Sequence, residues 1–306
     1  MGRASRVKQG VTRQQKIAAQ RAAARRARIR NRMLLAAGAV AVVVAVVVAF
    51  VVVKVSTGPR AAASGGASNG PTGAALAQVV SEVTSVPAAT LDAVGTGSGV
   101  TGTPQPVSGP PLTSGGKPEV LYIGAEYCPF CAAERWAAIV ALSRFGTFSG
   151  LRTVHSSSID VFANTPTFTF YKSRYTSRYL TFTPVETYTN VPSGSFYTPL
   201  QKPTAAEQAL MNKYDAPPYV PAQDLGSIPF YDFGNRYMIS GASFAPQLLD
   251  GKSWSQIASA LNNPASPIAQ AVDGTANYLT AAICTLTGNQ PAGACTPVVT
   301  ALEKKL

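Results

Sequence analysis

Apolar and polar positions change their rhythm several times along the chain. Residues 33–53, MLLAAGAVAVVVAVVVAFVVV, are twenty-one positions without a charge. At about 1.5 Å of rise per residue a helix of that length crosses a hydrocarbon core, and no amphipathic stripe points to a buried soluble helix. One N-terminal transmembrane helix is therefore expected. A cleaved signal peptide stays open because PRAAASG follows, although its apolar core would ordinarily be shorter, about 7 to 15 residues. Residues 54–73 read as a flexible linker, since STGPRAAASGGASNGPTG offers a core no large apolar side chain.

The pattern over 74–306 is that of an α/β domain. AALAQVVSEVTSVPAATLDAV suits a short helix that Pro87 ends or breaks, and a loose stretch rich in Gly, Pro, Thr and Ser runs on to Lys117. EVLYIGA is a strand candidate. CAAERWAAIVALSRFG then places Trp136, Ile139 and Val140 at helical spacing, with Gly146 near the stop. LRTVHSSS offers a second strand, and TPTFTFYKSRYTSRYLTFTPVETY alternates Thr with aromatics around a polar turn, as a strand or hairpin does. Val191 to Asp224 is Pro-rich and helix-capable. YDFGNRYMISGASF reads as two short strands turning at Gly234 and Asn235, and SWSQIASAL and IAQAVDGTANYLTAAICTLT read as helices.

Charge changes this picture in one respect. The net +12 resides almost entirely in the N-terminal segment: eleven Lys and Arg precede Met33 with no acid among them, whereas from Ser56 onward fourteen basic residues face fourteen acidic ones. The domain is therefore not basic overall, and nucleic acid is not an expected partner. Arg21, Arg25, Arg26, Arg28, Arg30 and Arg32 should keep residues 1–32 cytoplasmic, as a basic tail suited to anionic lipid, and the domain from Ala74 outside. Ala37, Ala41, Ala45 and Ala49 form a small-residue face through which a weak homodimer is expected. Lys172, Arg174 and Arg178 make a local basic patch among tyrosines that suits either anionic lipid or a protein.

All four cysteines then lie where disulfides persist. Cys128 and Cys131 sit in CPFC between a strand and a helix, where helix-terminal amides lower a thiol pKa and a two-residue spacer lets the second thiol resolve a mixed disulfide. A structural Cys128–Cys131 disulfide and a metal site remain alternatives. The sequence has one histidine and no second CxxC, so no metal and no cofactor are expected. Cys284 and Cys295 flank the polar TLTGNQPAGA, which favours a structural disulfide closing a surface loop, although the pair could also shuttle electrons with the first.

The strand, CPFC and helix, followed much later by Ile228 and Pro229 before a hairpin and final helix, are similar to the thioredoxin-like superfamily and its extracytoplasmic disulfide oxidoreductases. More closely, the chain from about Ala75 onward resembles a poorly characterised family of membrane-anchored thioredoxin-like proteins from actinobacteria and some archaea. The resemblance implies a thioredoxin-like domain with a helical or irregular insertion. It assigns Cys128 as nucleophile and Cys131 as resolving thiol, and it puts Ile228 and Pro229, at the superfamily's cis-proline position, with Phe130 where substrate would lie.

This sequence departs from the better-known patterns. Phe130 supplies neither a hydrogen bond nor a positive charge to the thiolate, and Glu126 would raise the Cys128 pKa if close. Glu134 serves the same helix or covers solvent, and His155 is a surface or packed residue with no catalytic role. The reading that results is a membrane-tethered, outward-facing thiol-disulfide oxidoreductase acting on envelope or secreted proteins. The alternative is a noncatalytic thioredoxin-like envelope interaction or assembly subunit.

Overall fold

The computed structural model describes residues 69–306. The basic tail, the expected transmembrane helix over 33–53 with its alanine face, and linker residues 54–68 lie outside the described residues. Among the described residues no single helix is long and apolar enough to cross a membrane. Two helices fill the stretch around Pro87: α1 (Gly73–Thr84) and α2 (Ala88–Val94), bent by 58° relative to each other. Together they pass a membrane test of length and composition, yet Val79, Val83, Leu91 and Val94 are buried in the domain.

Short strands β1 (Gln105–Pro106) and β2 (Thr113–Ser114) interrupt the loose stretch before β3 (Lys117–Gly124) and α3 (Pro129–Ser143). β4 (Gly146–Ser149) follows α3, and β5 (Arg152–His155) forms within LRTVHSSS, where a strand is expected. The aromatic segment divides into three strands where its alternation suggests a strand or hairpin: β6 (Pro166–Thr169), β7 (Arg174–Ser177) and β8 (Thr181–Glu186). The region expected to be Pro-rich and helix-capable begins instead with a hairpin, β9 (Tyr188–Ser193) and β10 (Phe196–Pro199), and only then forms α4 (Ala205–Tyr214). Thr204 and Glu207 close a reciprocal capping box at the α4 N-terminus. The chain ends with β11 (Phe230–Phe233), β12 (Tyr237–Ser240), α5 (Trp254–Leu261), α6 (Pro267–Thr287) and α7 (Pro297–Glu303).

The fold is mixed α/β around a mixed sheet. Its path runs β1-β12-β11-β3-β2, with β8 also pairing β3. β8 runs parallel to β3 over Glu119–Gly124, and β11 runs antiparallel to it, with Phe230 opposite Ile123 and Phe233 opposite Val120. The hairpin from β11 to β12 turns through Gly234 (φ +66) and Asn235 (φ +57), both in the left-handed region. Any Cβ at Gly234 would also sit 2.8 Å from Leu286.

Period-two alternation sends β3 into two cores. Tyr122 and Val120 join Trp136, Phe170, Tyr231 and residues of α6, while Leu121 and Ile123 join Val185, Met211, Tyr214 and Phe230. The sheet is thus covered on both faces. That explains why β3 reads as a nearly continuous apolar run. The long α6 crosses α3, and Asn277 on α6 donates to the carbonyls of Leu91 and Gly95 at 2.8 Å while accepting from Arg144. This network fixes the C-terminal ends of α2 and α3 against the same helix.

Candidate functional site

The end of β3 delivers the chain to CPFC at the N-terminus of α3. Cys128 is the N-cap, with extended backbone, and Pro129 occupies the first helical position, where its missing N–H is no loss. The Cys128 sulfur accepts from the Cys131 amide at 3.2 Å, so it takes the place of the oxygen that usually caps a helix. Both thiols are unbonded and buried, Cys128 at 4% exposure and Cys131 at 0%.

Several forces act on these thiols. Burial pushes Cys128 up, but hydrogen bonds from the Cys131 side chain and backbone, with the positive charge of Arg135, bring it below its ordinary value. Burial pushes Cys131 well up, reinforced by donation to Cys128 and by the charge forming there. The pair is polarised: an anion is favoured on Cys128 and a proton on Cys131. One contact works the other way, since the neutral Cys128 thiol can donate to the Ile228 carbonyl at 3.6 Å.

Ile228 and Pro229 therefore lie directly across from Cys128, one residue before β11, and the peptide between them is cis. Phe130, within the motif, is 38% exposed and meets Phe162 edge-on at 5.9 Å. The remaining expected pair is separate from this constellation. Cys284, near the end of α6, is joined to Cys295 by a disulfide.

Beneath the thiols lies a charge pair absent from the sequence reading. Arg135 reaches Glu186, at the end of β8, through Nε–Oε1 at 2.9 Å and Nη2–Oε2 at 2.7 Å, and both side chains are fully buried. Nη2 also donates to the Ala125 carbonyl at 2.7 Å, tying the pair to the segment that carries Cys128. Glu186 further accepts from the Phe170 amide and, at 3.4 Å, from the Tyr122 hydroxyl. Burial lowers the Arg135 pKa, but the charge and hydrogen bonds of Glu186 together with Tyr122 and Cys131 outweigh it, so the guanidinium stays charged. The available clue was charged residues inside the otherwise apolar run of α3.

An aromatic wall is the second unexpected component. Tyr127, next to Cys128, stacks on Tyr197 of β10 at 4.2 Å between ring centroids, and Phe196 and Tyr188 close around it at 5.3 and 6.3 Å. Tyr197 donates to the Ser157 hydroxyl, whose backbone N–H holds the Tyr127 carbonyl at 2.8 Å. The hairpin of β9 and β10 is thereby fastened beside the CPFC motif. Phe196 remains 47% exposed at its tip.

The two glutamates near the motif do not touch the sulfurs. Glu126 is raised by burial against a hydrogen bond from Thr169, with Arg135 and Arg152 lowering it. Glu134 neither serves solvent nor caps the helix: it is fully buried and accepts from the Ser243 amide and hydroxyl at 2.8 and 3.0 Å. Burial raises its pKa to about 7 against those bonds. His155 is half-buried, with Nδ1 2.8 Å from the Ser156 carbonyl. Among the described residues no group of three or more His, Cys, Asp or Glu is placed to hold a metal ion.

In comparison with known proteins, residues 104–285 match a family described as a domain of unknown function, DUF929. That span holds β1 to β12, α3 to α5, the CPFC motif and most of α6. No curated protein and no solved structure matches the chain.

Proposed function

The chain belongs to the DUF929 family, a kinship that assigns no activity, and from its own chemistry we propose a thiol-disulfide oxidoreductase with a thioredoxin-like arrangement around CPFC. The observation that carries the reading is the opposite polarisation of two adjacent thiols. Cys128 is an N-cap sulfur held as an acceptor, and Cys131 is a buried thiol held as its donor.

The exchange follows from that polarity. The Cys128 thiolate attacks one sulfur of a substrate disulfide; a new sulfur–sulfur bond forms, and the other substrate sulfur leaves as thiolate. Cys131 then gives up its proton and attacks the Cys128 sulfur. The internal disulfide forms, the second substrate thiol is released, and two electrons have passed from the protein to the substrate. Run in reverse, the same steps oxidise a dithiol. Arg135 stabilises negative charge on either sulfur, and its own charge is kept in place by Glu186. An extended substrate would lie between Phe130, the Ile228–Pro229 segment and the aromatic wall.

The proposed setting is the outer face of a membrane, with the helix over 33–53 as anchor and secreted or envelope proteins as partners. A weak homodimer through the alanine face belongs to the same reading. One observation favours a second reading. Cys128 is only 4% exposed, and a sulfur so covered suits a binding scaffold that performs no turnover. A peptide disulfide incubated with the Cys131→Ser variant separates the two. An oxidoreductase accumulates a Cys128 mixed disulfide, and a scaffold forms none.

A further inference from the structure

Two charges of opposite sign line one hollow of the domain without pairing. The hollow measures about 390 Å³; Glu126, Arg152 and Asn190 supply its polar side, and Pro71, Leu76 and Val154 supply apolar surface. That volume falls in the range of small-molecule sites. Glu126 and Arg152 form no ion pair with each other, because the salt bridge among the described residues is Arg135–Glu186.

Each polar group is held in place by the fold. Arg152 opens β5 opposite Thr169 of β6. Its Nη2 donates to the Tyr171 carbonyl at 2.9 Å, and its guanidinium carbon lies 6.0 Å from the Tyr171 ring centroid. The side chain is thus anchored, with Nε and Nη1 left to meet an anion. Glu126 arrives on the segment between β3 and α3, where its backbone N–H donates to the Tyr188 carbonyl at 2.9 Å. Its side chain is 8% exposed and takes a hydrogen bond from Thr169. Asn190 donates through Nδ2 to the His155 carbonyl at 2.9 Å, which sets the amide and leaves Oδ1 to accept from a ligand.

A ligand with one charge suits only half of this lining. An anion at Arg152 adds negative charge beside Glu126, and a cation at Glu126 is opposed by Arg152. A ligand with both charges satisfies both. Its ammonium donates to Glu126 and to Asn190 Oδ1, its carboxylate accepts from Arg152, and an apolar body covers Leu76 and Val154. Burial has stripped solvent from Glu126 and raised its pKa. A charge-assisted hydrogen bond from the ligand replaces that lost solvation.

We propose that this hollow binds a small zwitterion of the free amino acid or short peptide class, with the ammonium at Glu126 and the carboxylate at Arg152. The proposal is independent of the redox reading, since neither Cys128 nor Cys131 lines the hollow.

The probes are L-leucine and glycyl-L-leucine, which hold the two charges at different spacings and share an apolar side chain. Each is compared with its amide, which lacks the carboxylate, and its N-acetyl derivative, which lacks the ammonium. Dissociation constants with the full chain are measured by ligand-observed NMR. At least one zwitterion should bind, and its two blocked derivatives should bind about 10-fold or more weakly. Glu126→Gln and Arg152→Gln should each weaken the zwitterion to a similar degree without moving the urea unfolding midpoint. Should Glu126→Gln move that midpoint, Arg152→Gln at its exposed position decides. Failure of both zwitterions to bind at about 10 mM overturns the proposal. Equal binding of either blocked derivative also overturns it, because the hollow then reads a single charge. Binding that Arg152→Gln leaves unchanged overturns it by placing the ligand elsewhere.

Discussion

Arg135 and Glu186 face each other through two hydrogen bonds of 2.9 and 2.7 Å at a point no solvent reaches. A pair so buried contributes little net stability when intact, but removal of one member strands the other charge. Glu186→Ala should therefore destabilise the domain by about 3 to 5 kcal/mol, measured by urea unfolding. Replacing both members, as in Arg135→Met with Glu186→Leu, should recover much of that loss. The double variant should also show a higher Cys128 thiol pKa, since the neighbouring positive charge is gone.

Cys128 and Cys131 should fail differently. Cys128→Ser abolishes exchange with a peptide disulfide. Cys131→Ser still forms the mixed disulfide but resolves it at least 100-fold more slowly, because the intramolecular attack is lost. Both variants should keep near-native circular dichroism. Normal exchange by the Cys128 variant would remove this cysteine from the chemistry.

The exposed aromatics should govern substrate affinity without governing the sulfurs. Phe130→Ser and Phe196→Ser are expected to raise KM for an apolar cysteine peptide by about three- to thirty-fold through lost burial, with the redox potential of CPFC unchanged. A parallel change in potential would mean that these rings act on the thiols themselves.

Asp273 gives the fold a pH dependence. It is fully buried on α6, neither carboxyl oxygen has a hydrogen-bond partner, and burial raises its pKa from 3.8 to about 8. The folded state thus holds a proton that the unfolded chain releases at much lower pH. Stability from this group is complete below the ordinary carboxylate range and is lost as pH rises to about 8; Glu134, at about 7, adds a decline of the same sign. Wild-type stability should fall by a few kcal/mol between pH 5 and 8.5 in chemical denaturation. Asp273→Asn should flatten much of that slope.

Local features of this protein were legible where one segment carried its own instructions. The apolar run of β3, Pro129 at the start of α3, the helical spacing of Trp136 and Ile139, and the Gly234–Asn235 turn each act over a few residues. The position of Pro229 beside Cys128 was legible only through resemblance, because the two are about a hundred residues apart in sequence. Glu186 could not be assigned to Arg135, since their meeting depends on β8 running parallel to β3, a pairing that no local pattern specifies. The β9–β10 hairpin was missed for a related reason. Its Pro192 and Pro199 argue against strands, yet the pair forms a small separate ladder outside the main sheet.

The most direct test is a redox titration of the full chain in graded thiol-disulfide buffers, with free thiols trapped and the titrating cysteines located by peptide mass. Cys128 and Cys131 should interconvert reversibly between dithiol and disulfide at a potential above about −300 mV, while Cys284 and Cys295 stay bonded throughout. Failure of the CPFC pair to form a disulfide, or a bond there that yields only to harsh reduction, would contradict the oxidoreductase and leave the binding scaffold.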